Sequence, residues 1–146
     1  MGFIANIDGK ESNWILKQSL KGLHCMEHRG GCGGDSDSGD GAGILCSIPW
    51  TFLYRELNLN SQTYKKKGLG MIFIPNNESK VKESKHICDE EAKKLNFKET
   101  FWRNVPNKNE TLGVLAKANA PFINQWIVCL EKDDSRDIEM LSLIHI

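Results

Sequence analysis

Hydrophobic and polar positions along the chain predict a mixture of strands and helices. Five short apolar runs have the length and flanking turn residues of β-strands, and they cover residues 2–7, 42–48, 68–74, 97–105 and 122–130. Pro49 and Pro75 follow two of these runs, and proline cannot donate to a strand ladder. The run 42–48 is almost wholly apolar, which predicts a strand that is covered on both faces.

Helical periodicity predicts four helices between these strands. Ser12 has the character of an N-cap for a helix that ends near Glu27. Apolar residues recur within it at steps of three and four, which predicts one buried stripe formed by Leu16, Leu20, Leu23 and Met26. Shorter or more charged helices are predicted over 50–57, 78–95 and 112–118. Strands with interspersed helices predict a layered α/β or α+β domain.

Composition narrows the class of protein. The chain has 146 residues, of which 40% are hydrophobic and 26% charged, a balance that suits one globular domain or a fragment of a larger one. Its 19 basic and 19 acidic residues cancel, which argues against a nucleic-acid partner or a membrane surface as partner. Five cysteines without a C-x-x-C pair indicate a reducing compartment, in which they act as small apolar residues.

The segment 26–44, MEHRGGCGGDSDSGDGAGI, carries the strongest chemical signal. It contains seven glycines and has no large apolar side chain between its two end residues. Such a composition predicts a loop whose shape depends on unusual dihedral angles or on close backbone approach. We call this segment the glycine-rich loop.

Generic binding motifs do not explain the glycine-rich loop. An EF-hand needs glycine at position six and glutamate at position twelve of its loop, and a count from Asp35 meets Asp40 and Cys46 there. Neither a repeated calcium-binding unit nor a phosphate-binding G-x-x-x-x-G-K-[ST] motif is present. Cys25, His28 and Cys32 lack the second ligand pair of a zinc site, so no metal is expected.

Several short motifs together resemble one known family. They are Gly2-Phe3-Ile4-Ala5, the run Met26 to Gly30 (MEHRG), the run Gly39 to Leu45 (GDGAGIL), and Ile48-Pro49. This combination is similar to the glutaminase domain of glutamate synthases, a class II glutamine amidotransferase of the N-terminal-nucleophile type. The CMEHRGGC version and Pro49-Trp50 look most like the ferredoxin-dependent branch. The resemblance extends over about residues 2–130.

The resemblance implies an α+β fold, the four-layer αββα sandwich of N-terminal-nucleophile hydrolases, here incomplete. Residues 1–140 would be part of a class II amidotransferase domain. The last six residues, LSLIHI, resemble the translation of a sequencing adapter, and we expect 141–146 to be a non-native tail. A native apolar C-terminal strand is the alternative.

The resemblance also implies site residues. Arg29 and Gly30 would border the substrate pocket, where a planar guanidinium can bind a carboxylate. On spacing alone, Arg29 is a surface or helix-capping cation. Asp40 would fix the loop through backbone N–H groups. The family's nucleophile is an N-terminal cysteine whose own amine is the base, so it would precede Met1, and we expect this chain alone to release no ammonia.

For the intact enzyme, the resemblance implies hydrolysis of glutamine to glutamate and ammonia, followed by reductive synthesis of glutamate from 2-oxoglutarate. FMN, an iron–sulfur cluster and ferredoxin would serve the second reaction, with NAD(P)H left open as donor, and no cofactor is expected in this segment. Partners would be glutamine, ferredoxin and the rest of the synthase chain, in a cyanobacterium-like cytoplasm or plastid stroma. Two alternatives remain open. One is another class II amidotransferase, such as amidophosphoribosyltransferase or asparagine synthetase, and the other is a non-catalytic binding or regulatory module.

Overall fold

The computed structural model describes residues 3–31, 34–39, 41–60, 64 and 66–130. Its elements in chain order are α1 (Asn13–Cys25), α2 (Trp50–Glu56), β1 (Lys66–Ile74), α3 (Glu78–Lys94), β2 (Glu99–Asn104), α4 (Val114–Ala118) and β3 (Phe122–Leu130), with short 3-10 helices at Glu27–Arg29 and Asn109–Thr111. These elements fall into two compact units. The first comprises Met1–Ser47 and Asn109–Ala118, and the second comprises Ile48–Lys108 and Asn119–Ile146.

The second unit contains a three-stranded antiparallel sheet with the order β1-β3-β2. These strands confirm the predictions for 68–74, 97–105 and 122–130, with β1 beginning two residues earlier and β2 being shorter at both ends. The central strand β3 is the most buried, and all of its last five residues lie in the core. The sheet is therefore built around β3.

Helices pack on both faces of this sheet. Side chains alternate along a strand, so Ile127 and its neighbours across the ladder share one face while Trp126 lies on the other. The face of Ile127 packs against Tyr64, with Trp50 and Leu57 from the region of α2. The face of Trp126 packs against α3 through Cys88 and Ala92. The second unit therefore has a helix–sheet–helix arrangement.

A carboxylate on α3 joins that helix to the sheet. Asp89 accepts hydrogen bonds from Thr100 Oγ1 at 2.8 Å, from Trp102 Nε1 at 3.0 Å and from Trp126 Nε1 at 3.2 Å, all to the same oxygen. The two indoles stack, with ring centroids 5.9 Å apart. Indole N–H groups that are withdrawn from water need an acceptor, and Asp89 supplies it.

Turn chemistry explains where the helices of the second unit begin and end. Asn77 caps α3 by accepting the backbone N–H groups of Ser79 and Lys80. Beyond α2 and α3, Asn58 and Asn96 adopt left-handed conformations with φ of 53° and 56°. Amide groups there bond back to carbonyls of the last helical turn, a Schellman ending. The helices predicted over 50–57 and 78–95 are confirmed.

Two of the predicted strands, 2–7 and 42–48, are wrong. The described residues of 2–7 form no strand and lead into a turn in which Gly9 N–H donates to the Asn6 carbonyl at 3.0 Å. Residues 42–48 are exposed and also form no strand, so the prediction that they are covered on both faces is wrong. Apolar composition produces a strand only where a neighbouring strand pairs with it, and no described segment pairs with either run.

The helix predicted after Ser12 is confirmed, but its buried stripe is not. α1 begins with Ser12 Oγ accepting the Ile15 amide at 3.3 Å, and it contains no buried residue. Leu16, Leu20 and Met26 of the predicted stripe are 44%, 51% and 47% exposed. The periodicity was sufficient to specify a helix, while burial requires a partner surface that the described residues do not supply. The expected tail 141–146 lies outside the described residues.

Candidate functional site

The turn that carries His28, Arg29 and Gly30 begins where α1 ends. His28 Nδ1 lies 3.0 Å from the carbonyl oxygen of Cys25, which can only accept, so the ring donates to the end of the helix. Arg29 N–H donates to the Met26 carbonyl and Gly30 N–H to the Glu27 carbonyl, both at 2.9 Å. His28 therefore orients the backbone at the end of the helix, and a single 3-10 turn fixes the backbone of Arg29.

Gly30 ends the turn and changes the direction of the chain. Its backbone is extended, with φ −76° and ψ 148°, so the helical hydrogen bonds stop there. A Cβ at this position would lie 3.2 Å from the Glu27 carbonyl oxygen, which is tighter than an ordinary contact. The exposed Arg29 side chain therefore stands on a turn closed on one side by α1 and on the other by Gly30.

Beyond Gly30 the glycine-rich loop turns back on itself, so that the backbone at Gly39 lies close to the backbone at Gly31. We call this close approach the neck. A Cβ on Gly39 would stand only 3.3 Å from the Gly31 carbonyl oxygen. Such spacing leaves no room for a larger residue without a shift of the backbone. The prediction that this loop depends on close backbone approach is confirmed.

The tip of the loop is fastened to α4, about eighty residues later in the sequence. Asp35 Oδ2 accepts the backbone N–H of Leu115 at 2.9 Å, and Ser38 Oγ accepts that of Ala116 at 3.3 Å. Within the tip, Asp35 also accepts the Asp37 amide at 3.1 Å and the Ser38 hydroxyl at 3.0 Å. We call this set of bonds the clasp. It satisfies N–H groups that a helix leaves unpaired at its first turn.

Gly113 makes the clasp possible. A Cβ on this buried residue would stand 2.5 Å from Ser38 Oγ and 2.7 Å from both Asp35 Oδ1 and the backbone carbon of Asp37. Real Cβ atoms do not approach other atoms so closely, so the loop tip occupies the space of a missing side chain. Any larger residue at 113 would push the tip away from α4.

The clasp stabilises the charged form of Asp35. The Leu115 amide and then the Ser38 hydroxyl, both donating to the carboxylate, hold the pKa of Asp35 below its usual value of 3.8. The carboxylate is therefore fully charged at neutral pH and remains an acceptor for all of its donors.

Of the sequence-predicted site residues, the structure describes Arg29 and Gly30, while Asp40 lies outside the described residues. The role of Asp40 stays a prediction, while Asp35 fixes the loop by accepting the backbone N–H groups of Asp37 and Leu115. Asp35, Ser38 and Gly113 were not predicted, because their pairing is visible only in three dimensions. The signals in the sequence were an Asp-x-x-Ser turn and a lone glycine directly before a short helix.

Among the described residues, no three His, Cys, Asp or Glu side chains lie close enough to hold a metal ion. Those residues therefore do not fit an iron–sulfur cluster, which needs several cysteine ligands. Cys88 and Cys129 are buried in the second unit, on opposite faces of the sheet from one another. Within the described part of the chain, no helix has both the length and the apolar character to cross a membrane.

Comparison with known proteins finds similarity to several ferredoxin-dependent glutamate synthases. The chain is 40% identical over 140 residues to ferredoxin-dependent glutamate synthase 1, chloroplastic/mitochondrial, of Arabidopsis thaliana, a match that covers 94% of this chain and 9% of that protein. It is 40% identical over 131 residues to ferredoxin-dependent glutamate synthase 2 of Synechocystis sp., covering 88% and 8%. The enzyme of Pyropia yezoensis gives 40% over 140 residues, covering 94% and 9%. The similarity predicted from the motifs is confirmed, and the chain spans about a tenth of each relative.

The family comparison covers nearly the whole sequence. Residues 1–144 match the family described as glutamine amidotransferases class-II. The glycine-rich loop, its His-Arg-Gly turn and the clasp all fall within this match. The chain belongs to the class II glutamine amidotransferases.

Proposed function

We propose that this chain is part of the glutaminase domain of a ferredoxin-dependent glutamate synthase, where glutamine is hydrolysed to glutamate and ammonia. The support is the similarity at about 40% identity to relatives of that name across 94% of the chain. The ammonia would then be used for reductive synthesis of glutamate from 2-oxoglutarate. The protein would work in a plastid or in a bacterial cytoplasm, since one relative is a chloroplastic/mitochondrial protein of Arabidopsis and another comes from Synechocystis.

The structural observation behind the proposed substrate contact is the placement of Arg29. Its guanidinium makes no hydrogen bond or ion pair to a side chain among the described residues, while its backbone is held in the 3-10 turn. A guanidinium fork that stands on a fixed backbone and still has its donors available suits a carboxylate, which it can bind through two parallel hydrogen bonds. Arg29 would bind the α-carboxylate of glutamine, and Gly30 would border the same pocket. Asp40 is proposed to add bonds within the loop.

The nucleophile would be an N-terminal cysteine outside the five cysteines of this sequence. In each of the five, the α-nitrogen belongs to a peptide bond and cannot act as a base, whereas a free α-amine with a pKa of about 7.7–8.0 can. Burial also raises the pKa of Cys88 and raises that of Cys129 to about 11, which suppresses the reactive thiolates. The 146-residue polypeptide itself is expected to release no ammonia from glutamine.

The cofactors of the second reaction would be bound elsewhere in the synthase. FMN, an iron–sulfur cluster and ferredoxin are proposed for the whole protein. The roles proposed for Arg29, Gly30 and Asp40 do not involve these groups. The complete glutaminase domain would be a four-layer αββα sandwich, with residues 1–140 contributing part of it. The three-stranded sheet of the second unit would belong to one of its two sheet layers.

The experiment uses a full-length protein that contains this sequence, assayed for glutamine-dependent ammonia release. Arg29→Lys removes the planar fork but keeps the charge, and we expect it to raise KM for glutamine about tenfold. The control is Arg55→Lys, because Arg55 is exposed on α2 and rests on the Phe52 ring at 5.8 Å. Absence of ammonia release by the unaltered protein would contradict the function, and an unchanged KM in Arg29→Lys would contradict the role of Arg29.

A further inference from the structure

Three sets of contacts hold the glycine-rich loop, and only one of them joins the loop to residues distant in the sequence. The 3-10 turn at Arg29 depends on carbonyls of the preceding helix end. The neck brings Gly39 against Gly31. The tip depends on amides of Leu115 and Ala116, which belong to α4. Local bonds thus shape the turn, the neck holds Gly31, beside that turn, against Gly39, beside the tip, and the clasp ties the tip to α4.

We infer that Asp35 is a positioning residue of the proposed glutamine pocket, because its bond to α4 holds the loop in the path that presents Arg29 and Gly30 to the substrate. This inference rests on the proposed function for the role of Arg29. Asp35 itself touches no substrate. It acts through the neck and the turn that precede it.

The chemistry of the clasp requires a carboxylate at position 35. One oxygen of Asp35 accepts the Asp37 amide, and the other accepts both the Ser38 hydroxyl and the Leu115 amide. An asparagine side chain has one acceptor oxygen, so either orientation directs its NH₂ group at a donor. Asp35→Asn therefore opens the clasp with almost no change in size.

Gly113 offers an independent way to open the clasp from the other side. An alanine there would place its Cβ within 2.7 Å of Asp35 and Asp37 and force the tip away. This change leaves every donor and acceptor of the clasp in place. If Asp35 acts through its bond to α4, the two variants should behave alike.

The controls match each variant in chemistry. Asp37→Asn changes the same kind of side chain at the same loop tip, where the Asp37 carboxylate makes no bond to a described residue and only its amide takes part in the clasp. Gly22→Ala matches Gly113→Ala, since a Cβ on Gly22 meets nothing within 4 Å. Both controls should keep the kinetics of the unaltered protein.

The test measures three quantities in a full-length protein that contains this sequence: hydrogen exchange of the Leu115 amide, melting temperature, and the steady-state constants for glutamine hydrolysis. We expect Asp35→Asn and Gly113→Ala to accelerate Leu115 exchange and to raise KM for glutamine about tenfold, with kcat changed less than about twofold. A role in stability alone would lower the melting temperature and leave KM unchanged.

Faster Leu115 exchange with an unchanged KM would overturn the positioning role and leave the glutaminase assignment intact. Loss of the fold in both variants would also overturn it, because the clasp would then serve folding rather than the pocket. Failure of the unaltered protein to hydrolyse glutamine would instead contradict the proposed function. The two failures are therefore distinguishable.

Discussion

Removal of the Asp89 carboxylate should weaken the junction between α3 and the sheet. Three side-chain donors converge on it, at distances from 2.8 to 3.2 Å. A hydrogen bond contributes about 1 kcal/mol to stability on average, and an indole left without an acceptor costs about 1–3 kcal/mol when buried. Trp126 is only 7% exposed, so its N–H cannot turn to water. Alanine forms helices more readily than aspartate by up to about 0.7 kcal/mol, which offsets part of the loss.

We therefore expect Asp89→Ala to lower the free energy of unfolding by about 3 kcal/mol. Asp89→Asn retains one acceptor oxygen and should lose about half as much. The assay is urea unfolding of the 146-residue chain followed by tryptophan fluorescence, with the midpoint and slope fitted together. Glu90→Ala is the control, because Glu90 pairs with Lys93 in solvent on the same helix. Equal midpoints for Asp89→Ala and Glu90→Ala would refute the reasoning.

Three further predictions concern thiols, acid and a helix ending. Iodoacetamide at about pH 8 should modify the exposed Cys25 and Cys46 and spare Cys129, because burial raises the pKa of the Cys129 thiol to about 11. Peptide mass mapping of the native chain checks this, and early labelling of Cys129 would contradict it. The folded state lowers the pKa of Asp35, so the clasp should hold at neutral pH and weaken as the pH falls below 3.8. The hydrogen-exchange protection factor of the Leu115 amide should therefore drop below that pH in the unaltered chain and show no such step in Asp35→Asn. Asn58 has φ 53°, so Asn58→Ala should destabilise by about 1 kcal/mol while Asn58→Gly should not; equal melting temperatures would contradict this.

The sequence predicted the second unit well because its signals are local and agree with one another. Helix α3 has an asparagine cap at Asn77, and the strand runs ending at Ile74 and Leu130 pair with each other. The same kind of apolar signal failed for 2–7 and 42–48, because a strand also needs a partner. For α1, periodicity specified the helix but could not specify what would cover its stripe.

At the candidate site, sequence motifs identified the turn at Arg29 and Gly30 and the shaped loop. They did not identify the clasp. Its donors at Leu115 and Ala116 are about eighty residues from Asp35 and Ser38, and backbone amides carry no residue-type signal. The role of Gly113 could not be predicted from the sequence either, because glycine is needed there to leave room for atoms of the distant loop tip.

The most direct test of the central claim is a crystal structure of a full-length protein containing this sequence, with L-glutamate bound at the glutaminase site. The claim predicts that the Arg29 guanidinium lies about 2.7–2.9 Å from a carboxylate of the ligand, with Gly30 at the pocket border. It also predicts that the bond between Asp35 and the Leu115 amide is intact. L-glutamate bound beside the nucleophilic cysteine, with the Arg29 side chain directed away into solvent, would contradict the claim.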